Sequence, residues 1–407
     1  MNEFMNVLST KLAPKINKVN RNIWISVLKD SILQVLPFIL VSSFITLLGL
    51  FSNIFKWWPD LSGISNFTFG IISIFVSFLI PFNMMEKKKL SKQRLISGLT
   101  SIGLFLLLTN PNLTKNGEAI FQFSFFGAGG MFVAILCGIF TAFVMERFGS
   151  FSFFSEDSVI PDFVTAWFDS MLPIGTVIAS GWLFVDVLKI DVYKLIIQLF
   201  SPLGGIVETL PGFVLVMFIF CFIFSMGIST WVMTPITTPV FLAAIQANQM
   251  NGASKIVTSE TLYSAYLWIG GVGCTMPLVL MMLFFAKSKR LKTLGKAFIV
   301  PSIFNINEPT VFGAIVWNPY LMVPMWLQGI ILPIIVWVGL KSKLGQIPSS
   351  VFQLWYVPFP ISTWLTGKTF GSIILVLLVF IVAAMIWYPF FKLYDRDLME
   401  KEIEEVE

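Results

Sequence analysis

The stretch that decides the fold and the candidate site runs Pro301-Ser302-Ile303-Phe304-Asn305-Ile306-Asn307-Glu308-Pro309. Two carboxamides and one carboxylate lie between two prolines, within a long and strongly apolar sequence. Proline lacks a backbone N–H donor and interrupts helices. A carboxylate in an apolar, membrane-spanning segment is costly, so it generally has a function. The run therefore predicts a broken helix that presents Glu308 as a functional residue.

The composition around this stretch indicates a membrane protein. Of 407 residues, 56% are hydrophobic, 15% are aromatic and only 12% are charged, which is more apolar surface than one soluble core can bury. Apolar windows of about 17 to 25 residues, long enough to cross a bilayer as a helix, recur along the chain. We predict an all-α polytopic membrane protein with about ten transmembrane helices. The predicted spans are approximately 31–51, 68–84, 95–109, 125–145, 173–190, 212–232, 236–250, 262–285, 319–340 and 370–392.

The basic residues predict the orientation of these spans. The net charge is +5, and fifteen of the 27 lysines and arginines lie in three clusters beside predicted spans. Loops rich in lysine and arginine stay in the cytoplasm, so we expect the clusters and both termini on that side. Lys341 and Lys343 would then face outward as an exception. The clusters are Lys11, Lys15, Lys18, Arg21 and Lys29; Lys87, Lys88, Lys89, Lys92 and Arg94; and Lys287, Lys289, Arg290, Lys292 and Lys296.

Residue types that support metal and redox chemistry are scarce. The chain contains no histidine, which excludes histidine metal ligands and a histidine general base. Cys137, Cys221 and Cys274 are far apart in apolar sequence, and we expect them to pack as small hydrophobic residues. We therefore predict neither a metal nor a cofactor, and no nucleic-acid partner. The Gly127–Gly130 stretch lacks the lysine and hydroxyl residues of a phosphate loop, so close helix packing is the simpler interpretation.

The two halves of the chain differ in how regular their apolar segments are. The first half contains five nearly continuous spans, whereas proline, glycine and polar residues interrupt the second half repeatedly. Transporters use such breaks to build binding sites near the middle of the membrane, so we expect the substrate in the second half. The predicted divisions are an amphipathic cytoplasmic lead-in at 1–30, a five-helix half at 31–192, a substrate-binding half with broken helices at 193–392, and an acidic cytoplasmic tail at 393–407.

Several motifs resemble one family of membrane proteins. The Phe304-Asn305-Ile306-Asn307-Glu308-Pro309 segment is similar to the signature of IIC subunits of the sugar phosphotransferase system (PTS), in the lactose, cellobiose and diacetylchitobiose family. Leu12-Ala13-Pro14-Lys15, Ser158-Val159-Ile160-Pro161-Asp162 and Tyr388-Pro389-Phe390-Phe391-Lys392 also resemble that family. Matching stretches cover most of the chain.

The resemblance implies a function. IIC subunits of this family are bacterial plasma-membrane permeases that bind a sugar, while a phosphorylated cysteine on a separate cytoplasmic IIB protein donates phosphate to the sugar's 6-hydroxyl. By resemblance, Glu308 accepts the hydroxyl proton, and Asn305 and Asn307 bind sugar hydroxyls. The resemblance also implies a homodimer with contacts mostly through the N-terminal half, and contact with membrane lipids.

The chain departs from the family at three polar positions. Ser229 in Gly227-Ile228-Ser229-Thr230 replaces a histidine. Pro358-Phe359-Pro360-Ile361-Ser362-Thr363 replaces a Pro-Trp-Thr-Thr-Pro-like element, and Gly367-Lys368 replaces Gly-Asp. A serine hydroxyl has a shorter reach than imidazole and carries no positive charge. We expect Ser229, Thr230, Trp231 and Trp364 to contact substrate.

Three functions remain open at this point. The first is a PTS permease for a β-linked disaccharide or similar glycoside, with phosphotransferase activity only together with IIB. The second is a transporter of the same fold that does not phosphorylate its substrate. The third is a membrane sensor or receptor of the same fold that transports nothing.

Overall fold

The computed structural model describes residues 22–53, 55–149, 152 and 162–404. Most of the predicted lead-in, much of the connection between the fourth and fifth predicted spans, and the last three residues of the acidic tail lie outside them. The described chain is mainly helical, with one two-stranded antiparallel ribbon formed by β1 (Asn112–Leu113) and β2 (Ala119–Ile120). The predicted all-α class is confirmed.

The helices of the first half follow the predicted spans, with one break. Pro37 has no N–H to donate to the Leu33 carbonyl, and the first predicted span is divided at Val35 into α1 and α2. Asn22 caps α1 by accepting a hydrogen bond from the backbone N–H of Trp24. The helices are α1 Ile23–Gln34, α2 Leu36–Gly49, α3 Ser62–Asn66, α4 Ile72–Lys87, α5 Arg94–Leu108, α6 Met131–Phe148 and α7 Asp162–Trp182.

The second half contains shorter helices joined by non-helical backbone. The predicted continuous span at 262–285 is wrong, because residues 266–275 are not helical. Gly270, Gly271 and Gly273 have positive φ there, a conformation that favours glycine and that a helix cannot contain. The helices are α8 Val192–Val207, α9 Leu210–Ser225, α10 Thr234–Asn251, α11 Met276–Phe284, α12 Lys289–Ile303, α13 Glu308–Thr310, α14 Pro319–Lys341, α15 Ile361–Gly367 and α16 Phe370–Glu404.

Because non-helical residues divide several predicted spans, fewer than ten helices are long enough to cross a membrane by themselves. Five helical segments among the described residues have the length and apolarity of a span, and α8 with α9 would form a sixth as a bent pair. The predicted total of about ten also included spans that the structure divides into shorter pieces. The five are Ser62–Lys87, Ala128–Phe148, Trp167–Val187, Pro319–Lys341 and Phe370–Glu404.

Two groups of buried side chains form the core. One is built mainly from α1 to α8 and includes Val76, Met131 and Tyr193. The other is built from α9 to α16 and includes Phe213 and Trp387. In the second group α9 packs along α14, and α11 packs on α12. The change of core falls between α8 and α9, after residue 207. The domain division near residue 192 stays a prediction.

A sharp corner joins the two core groups. The axes of α8 and α9 differ by 86°, and Thr209 fixes the corner because its hydroxyl accepts from the Gly212 N–H and donates to the Ile206 carbonyl. A Cβ at Gly212 would lie 1.9 Å from the Ile206 carbonyl oxygen, whereas Cβ atoms at Gly204 and Gly205 would contact nothing. The corner therefore requires glycine at 212.

We expect Gly212→Ala to destabilise the protein and Gly204→Ala to leave it nearly unchanged. The backbone oxygen of Ile206 cannot move without distorting the end of α8, and overpacking of this kind costs about 1–3 kcal/mol. Thermal unfolding of the purified protein in detergent, followed by tryptophan fluorescence, measures the difference. Equal melting temperatures for the two variants would contradict the proposed need for glycine.

Candidate functional site

A cavity lies where the non-helical segments of the second half meet α2. We call it the central cavity, and its empty space is about 1120 Å³ with its open mouth included. Aromatic and hydroxyl side chains dominate its walls, a pattern typical of small-molecule sites. The lining residues are Leu36, Ile39, Phe220, Phe224, Thr230, Trp231, Thr234, Thr237, Thr238, Phe241, Leu242, Ser259, Tyr263, Trp268, Gly271, Val272, Asn305, Asn307, Glu308, Gln353 and Trp355.

Asn305 holds three backbone segments together at the cavity wall. It follows the end of α12 with a φ of 60°, a conformation that asparagine tolerates better than most residues. Its Oδ1 accepts from the Gly270 N–H at 2.9 Å, and its Nδ2 donates to the carbonyls of Trp355 and Val357 at 2.8 and 3.0 Å. Both amide hydrogens are therefore used within the protein.

Asn307 makes a second connection to the loop between residues 266 and 275. Its Nδ2 donates to the Val272 carbonyl at 2.8 Å and to the Thr275 hydroxyl at 3.2 Å. A Cβ at Gly271 would lie 2.4 Å from Asn307 Oδ1, so glycine allows the loop to approach. Both predicted sugar ligands thus line the cavity, but their N–H groups are already bonded to protein and only their oxygen atoms could accept from a ligand.

Glu308 differs from its neighbours because its carboxylate is unpaired. It begins α13 and faces the cavity. Among the described residues, no group donates a hydrogen bond to its carboxylate and no cation lies within ion-pair distance. It is also the only formally charged residue among the described ones that line the cavity. The arrangement leaves a carboxylate available to accept a proton or a hydrogen bond from a ligand.

The element around Ser229 contributes to the cavity only in part. Ser229 caps a 3-10 turn at Thr230–Met233, where its Oγ accepts from the Trp231 N–H at 3.4 Å. Thr230 and Trp231 line the cavity, whereas Ser229 is not among the lining residues. The hydroxyl at this position therefore stabilises the turn in this structure.

The structure does not bring Trp364 into the site. This residue lies on α15 with its ring 5.2 Å from that of Phe370, outside the cavity lining. Trp268 and Trp355 line the cavity instead. Their flat, apolar rings with a single N–H suit them to contact a sugar face.

Glu260 is a buried carboxylate that the sequence analysis did not single out. Its exposed fraction is 0%, and it accepts from the Phe352 N–H at 3.1 Å, Gln353 Nε2 at 2.6 Å and Ser259 Oγ at 3.2 Å. Gln353 and Ser259 line the cavity, so Glu260 joins the short helical segment at 259–265 to the non-helical segment at 352–353 directly behind its wall. A lone acid in the apolar stretch 256–274 was the signal that could have identified it.

A metal site finds no support in this arrangement. Among the described residues, no three histidine, cysteine, aspartate or glutamate side chains lie close enough to hold an ion together.

Comparisons with known proteins identify the family. The sequence model of the EIIC family of the phosphotransferase system matches residues 29–329. The chain belongs to the PTS EIIC family. It is 27% identical to the lactose-specific EIICB component of Staphylococcus epidermidis, over 96% of this chain and 70% of that protein. It is 26% identical to the cellobiose-specific EIIC component of Geobacillus stearothermophilus, over 99% of this chain and 96% of that protein.

A solved structure shares the fold of this EIIC protein. The crystal structure of ChbC, the IIC component of an N,N'-diacetylchitobiose-specific phosphotransferase system, superimposes with a TM-score of 0.83 and 24% sequence identity. The match covers 97% of this chain and 99% of ChbC. The helical fold of the EIIC protein, with its breaks in the second half, is therefore that of a known transporter.

We expect Glu260→Ala to destabilise this EIIC protein more than Glu260→Gln. Alanine leaves the buried Phe352 N–H without the carboxylate that accepts from it and removes one of the two acceptors of the Gln353 amide, which keeps its bond to Ser259 Oγ. An unsatisfied buried N–H costs about 1–3 kcal/mol, whereas glutamine at 260 keeps one acceptor oxygen. Thermal unfolding in detergent should give the order wild type, Gln, Ala from most to least stable. Identical melting temperatures for all three would show that Glu260 does not hold the two segments together.

Proposed function

We propose that this EIIC protein binds a β-linked disaccharide or similar glycoside in the central cavity and translocates it with phosphorylation by a separate IIB protein. The observation that carries the proposal is the unpaired Glu308 carboxylate, the only charge among the described residues that line a cavity of aromatic and hydroxyl side chains. Relatives named as lactose-specific and cellobiose-specific support the substrate class.

In the proposed phosphoryl transfer, Glu308 acts as the proton acceptor. The sugar 6-hydroxyl oxygen attacks the phosphorus of the partner's phosphocysteine, forming an O–P bond while the P–S bond breaks and its electron pair leaves on the sulfur as thiolate. The hydroxyl proton passes to the Glu308 carboxylate. Transfer of this kind depends mainly on in-line positioning and on a nearby base, and the EIIC protein supplies both by holding the sugar against Glu308.

Aromatic and polar side chains of the cavity would contact different parts of the sugar. Trp231, Trp268 and Trp355 offer ring faces for the apolar side of a pyranose. Thr230 and the oxygen atoms of Asn305 and Asn307 offer hydrogen-bonding atoms for its hydroxyls. Ser229 and Trp364 stay candidate substrate contacts, which would require a rearrangement of the turn and of α15.

The proposal includes the setting of the protein. We place it in a bacterial plasma membrane with several crossings, with both termini in the cytoplasm and membrane lipids around it. It forms a homodimer through the N-terminal half. The residue ranges 1–30, 31–192, 193–392 and 393–407 are its proposed lead-in, dimerisation half, substrate half and tail.

We expect Glu308→Gln to fold normally and to lose sugar phosphorylation. The amide keeps the shape of the side chain but cannot accept a proton, and loss of general base catalysis typically lowers a rate by about 10²- to 10⁴-fold. The assay uses membrane vesicles loaded with phosphorylated IIB protein and supplied with labelled β-linked disaccharides, and it measures sugar phosphate in the lumen.

The same assay distinguishes the competing functions. Sugar phosphate in wild-type vesicles supports the phosphorylating permease, whereas uptake of free sugar alone supports a transporter that does not phosphorylate. Neither product would be expected from a sensor or receptor. A wild-type rate in Glu308→Gln would remove Glu308 from the proton-accepting role.

Single cysteines test the proposed orientation. With the three native cysteines replaced, cysteines beside Lys88 and Lys292 should resist a membrane-impermeant maleimide added to intact cells and react after lysis. A cysteine beside Lys343 should react in intact cells, because we place that residue outside. Labelling of the Lys88 and Lys292 sites from outside would reverse the proposed topology.

A further inference from the structure

One exposed face of α12 is basic at its start and apolar at its end. We call it the α12 stripe and define it by the exposed residues Lys289, Lys292, Lys296, Val300 and Ile303. Their spacing of three or four residues places them on one side of the helix. The opposite side is buried and consists of Leu291, Gly295, Phe298 and Ser302.

Within the part of the chain that the structure describes, the lysines of the stripe have no acidic partner, in contrast to Lys87 and Lys88 of the cluster between residues 87 and 94. In that cluster Lys87 pairs with Asp30 at 2.5 Å and Lys88 pairs with Glu146 at 2.7 Å. Among the described residues, no carboxylate lies within ion-pair distance of Lys289, Lys292 or Lys296. The rule that basic loops stay in the cytoplasm applies equally to both clusters. It therefore does not explain why Lys87 and Lys88 form ion pairs while the lysines of the stripe do not.

The acids nearest to the start of α12 are used by its backbone. Asp395 accepts from the N–H groups of Lys287 and Ser288 at 2.9 to 3.1 Å. Glu402 accepts from those of Lys289 and Arg290 at 3.0 and 2.9 Å. Both acids belong to α16, and they satisfy the free N–H groups at a helix start. The helix is thereby fixed in place while the lysine side chains remain available to another molecule.

The stripe leads to the proposed reaction centre. A helix rises about 1.5 Å per residue, so Lys289 and Ile303 are about 21 Å apart along the axis. The chain then turns at Asn305 and places Glu308 in the central cavity. Val300 and Ile303, with exposed fractions of 60% and 40%, continue the face between the lysines and that turn.

We propose that the α12 stripe is the surface on which the phosphorylated IIB protein docks, an inference that depends on the proposed function. The partner must bring a phosphoryl group with a charge near −2 toward Glu308, and three unpaired lysines on a fixed helix favour its approach. Charges at the edge of an interface act mainly on the association rate and on its dependence on salt. The apolar end of the stripe supplies contact area closer to the cavity.

The test neutralises the stripe and varies the partner concentration. In phosphatidylcholine nanodiscs, we expect K289Q/K292Q/K296Q to raise the KM for phosphorylated IIB by about tenfold and to keep kcat within about twofold. The KM of this variant should also lose most of its dependence on salt concentration. The sugar is the β-linked disaccharide that wild-type protein phosphorylates best. K289R/K292R/K296R should retain the wild-type KM, and K341Q/K343Q, at the end of α14, should leave all values unchanged.

Each other outcome has a defined meaning. An unchanged KM in the triple glutamine variant, with sugar phosphate still formed, overturns the docking surface and leaves the proposed function intact. A wild-type protein that forms no sugar phosphate overturns the proposed function itself. An increase in KM that occurs only in nanodiscs containing phosphatidylglycerol assigns the lysines to anionic lipid and overturns docking. If the triple variant unfolds at a lower temperature than wild type, the single variant Lys292→Gln replaces it in the assay. An increase in its KM for phosphorylated IIB supports docking, and an unchanged KM overturns it.

Discussion

The arrangement of the second half depends on pairing backbone groups that no helix satisfies. Non-helical backbone at membrane depth is stable only where protein or water provides hydrogen-bond partners. Asn305 and Asn307 supply them to the loop at 266–275 and to the segment near residue 355, and Glu260 supplies them near residue 352. These side chains lie behind or in the wall of the central cavity. Structural support and the candidate binding site are therefore built by the same residues.

The residues of the Asn305-Ile306-Asn307-Glu308 motif have different roles in the structure. Asparagines beside a carboxylate in an apolar segment indicate ligand binding, and both asparagines do line the cavity. Their amide hydrogens, however, are donated to backbone carbonyls and to Thr275. Glu308 is the member of the motif whose side chain is unpaired among the described residues. The asparagines hold the loops that shape the cavity, and the carboxylate is the group that we propose for the ligand.

The start of α12 also combines paired and unpaired charges. Two carboxylates are bonded to backbone N–H groups, whereas the lysine side chains have no acidic partner among the described residues. Asp395 and Glu402 on α16 bind the first N–H groups of α12, so this helix is connected to the C-terminal helix at one end and to the cavity motif at the other. α12 therefore extends from the lysines to the turn at Asn305, with Pro301 in its last turn.

The sequence by itself determined the class of fold, because apolar windows of membrane-spanning length and the scarcity of charge allow few alternatives. It also predicted a helix break between Pro301 and Pro309. The structure places the break at residues 304–307, where Asn305 has a φ of 60°, and it accommodates Pro301 in the last turn of α12. Only the tertiary structure decided which polar atoms face the cavity. The hydrogen bonds of Glu260, Asn305 and Asn307 join segments that are far apart in sequence, such as Asn305 to Gly270, 35 residues apart, and Glu260 to Phe352, 92 residues apart. Local periodicity carries no information about such pairs, so they appear only when the chain is folded.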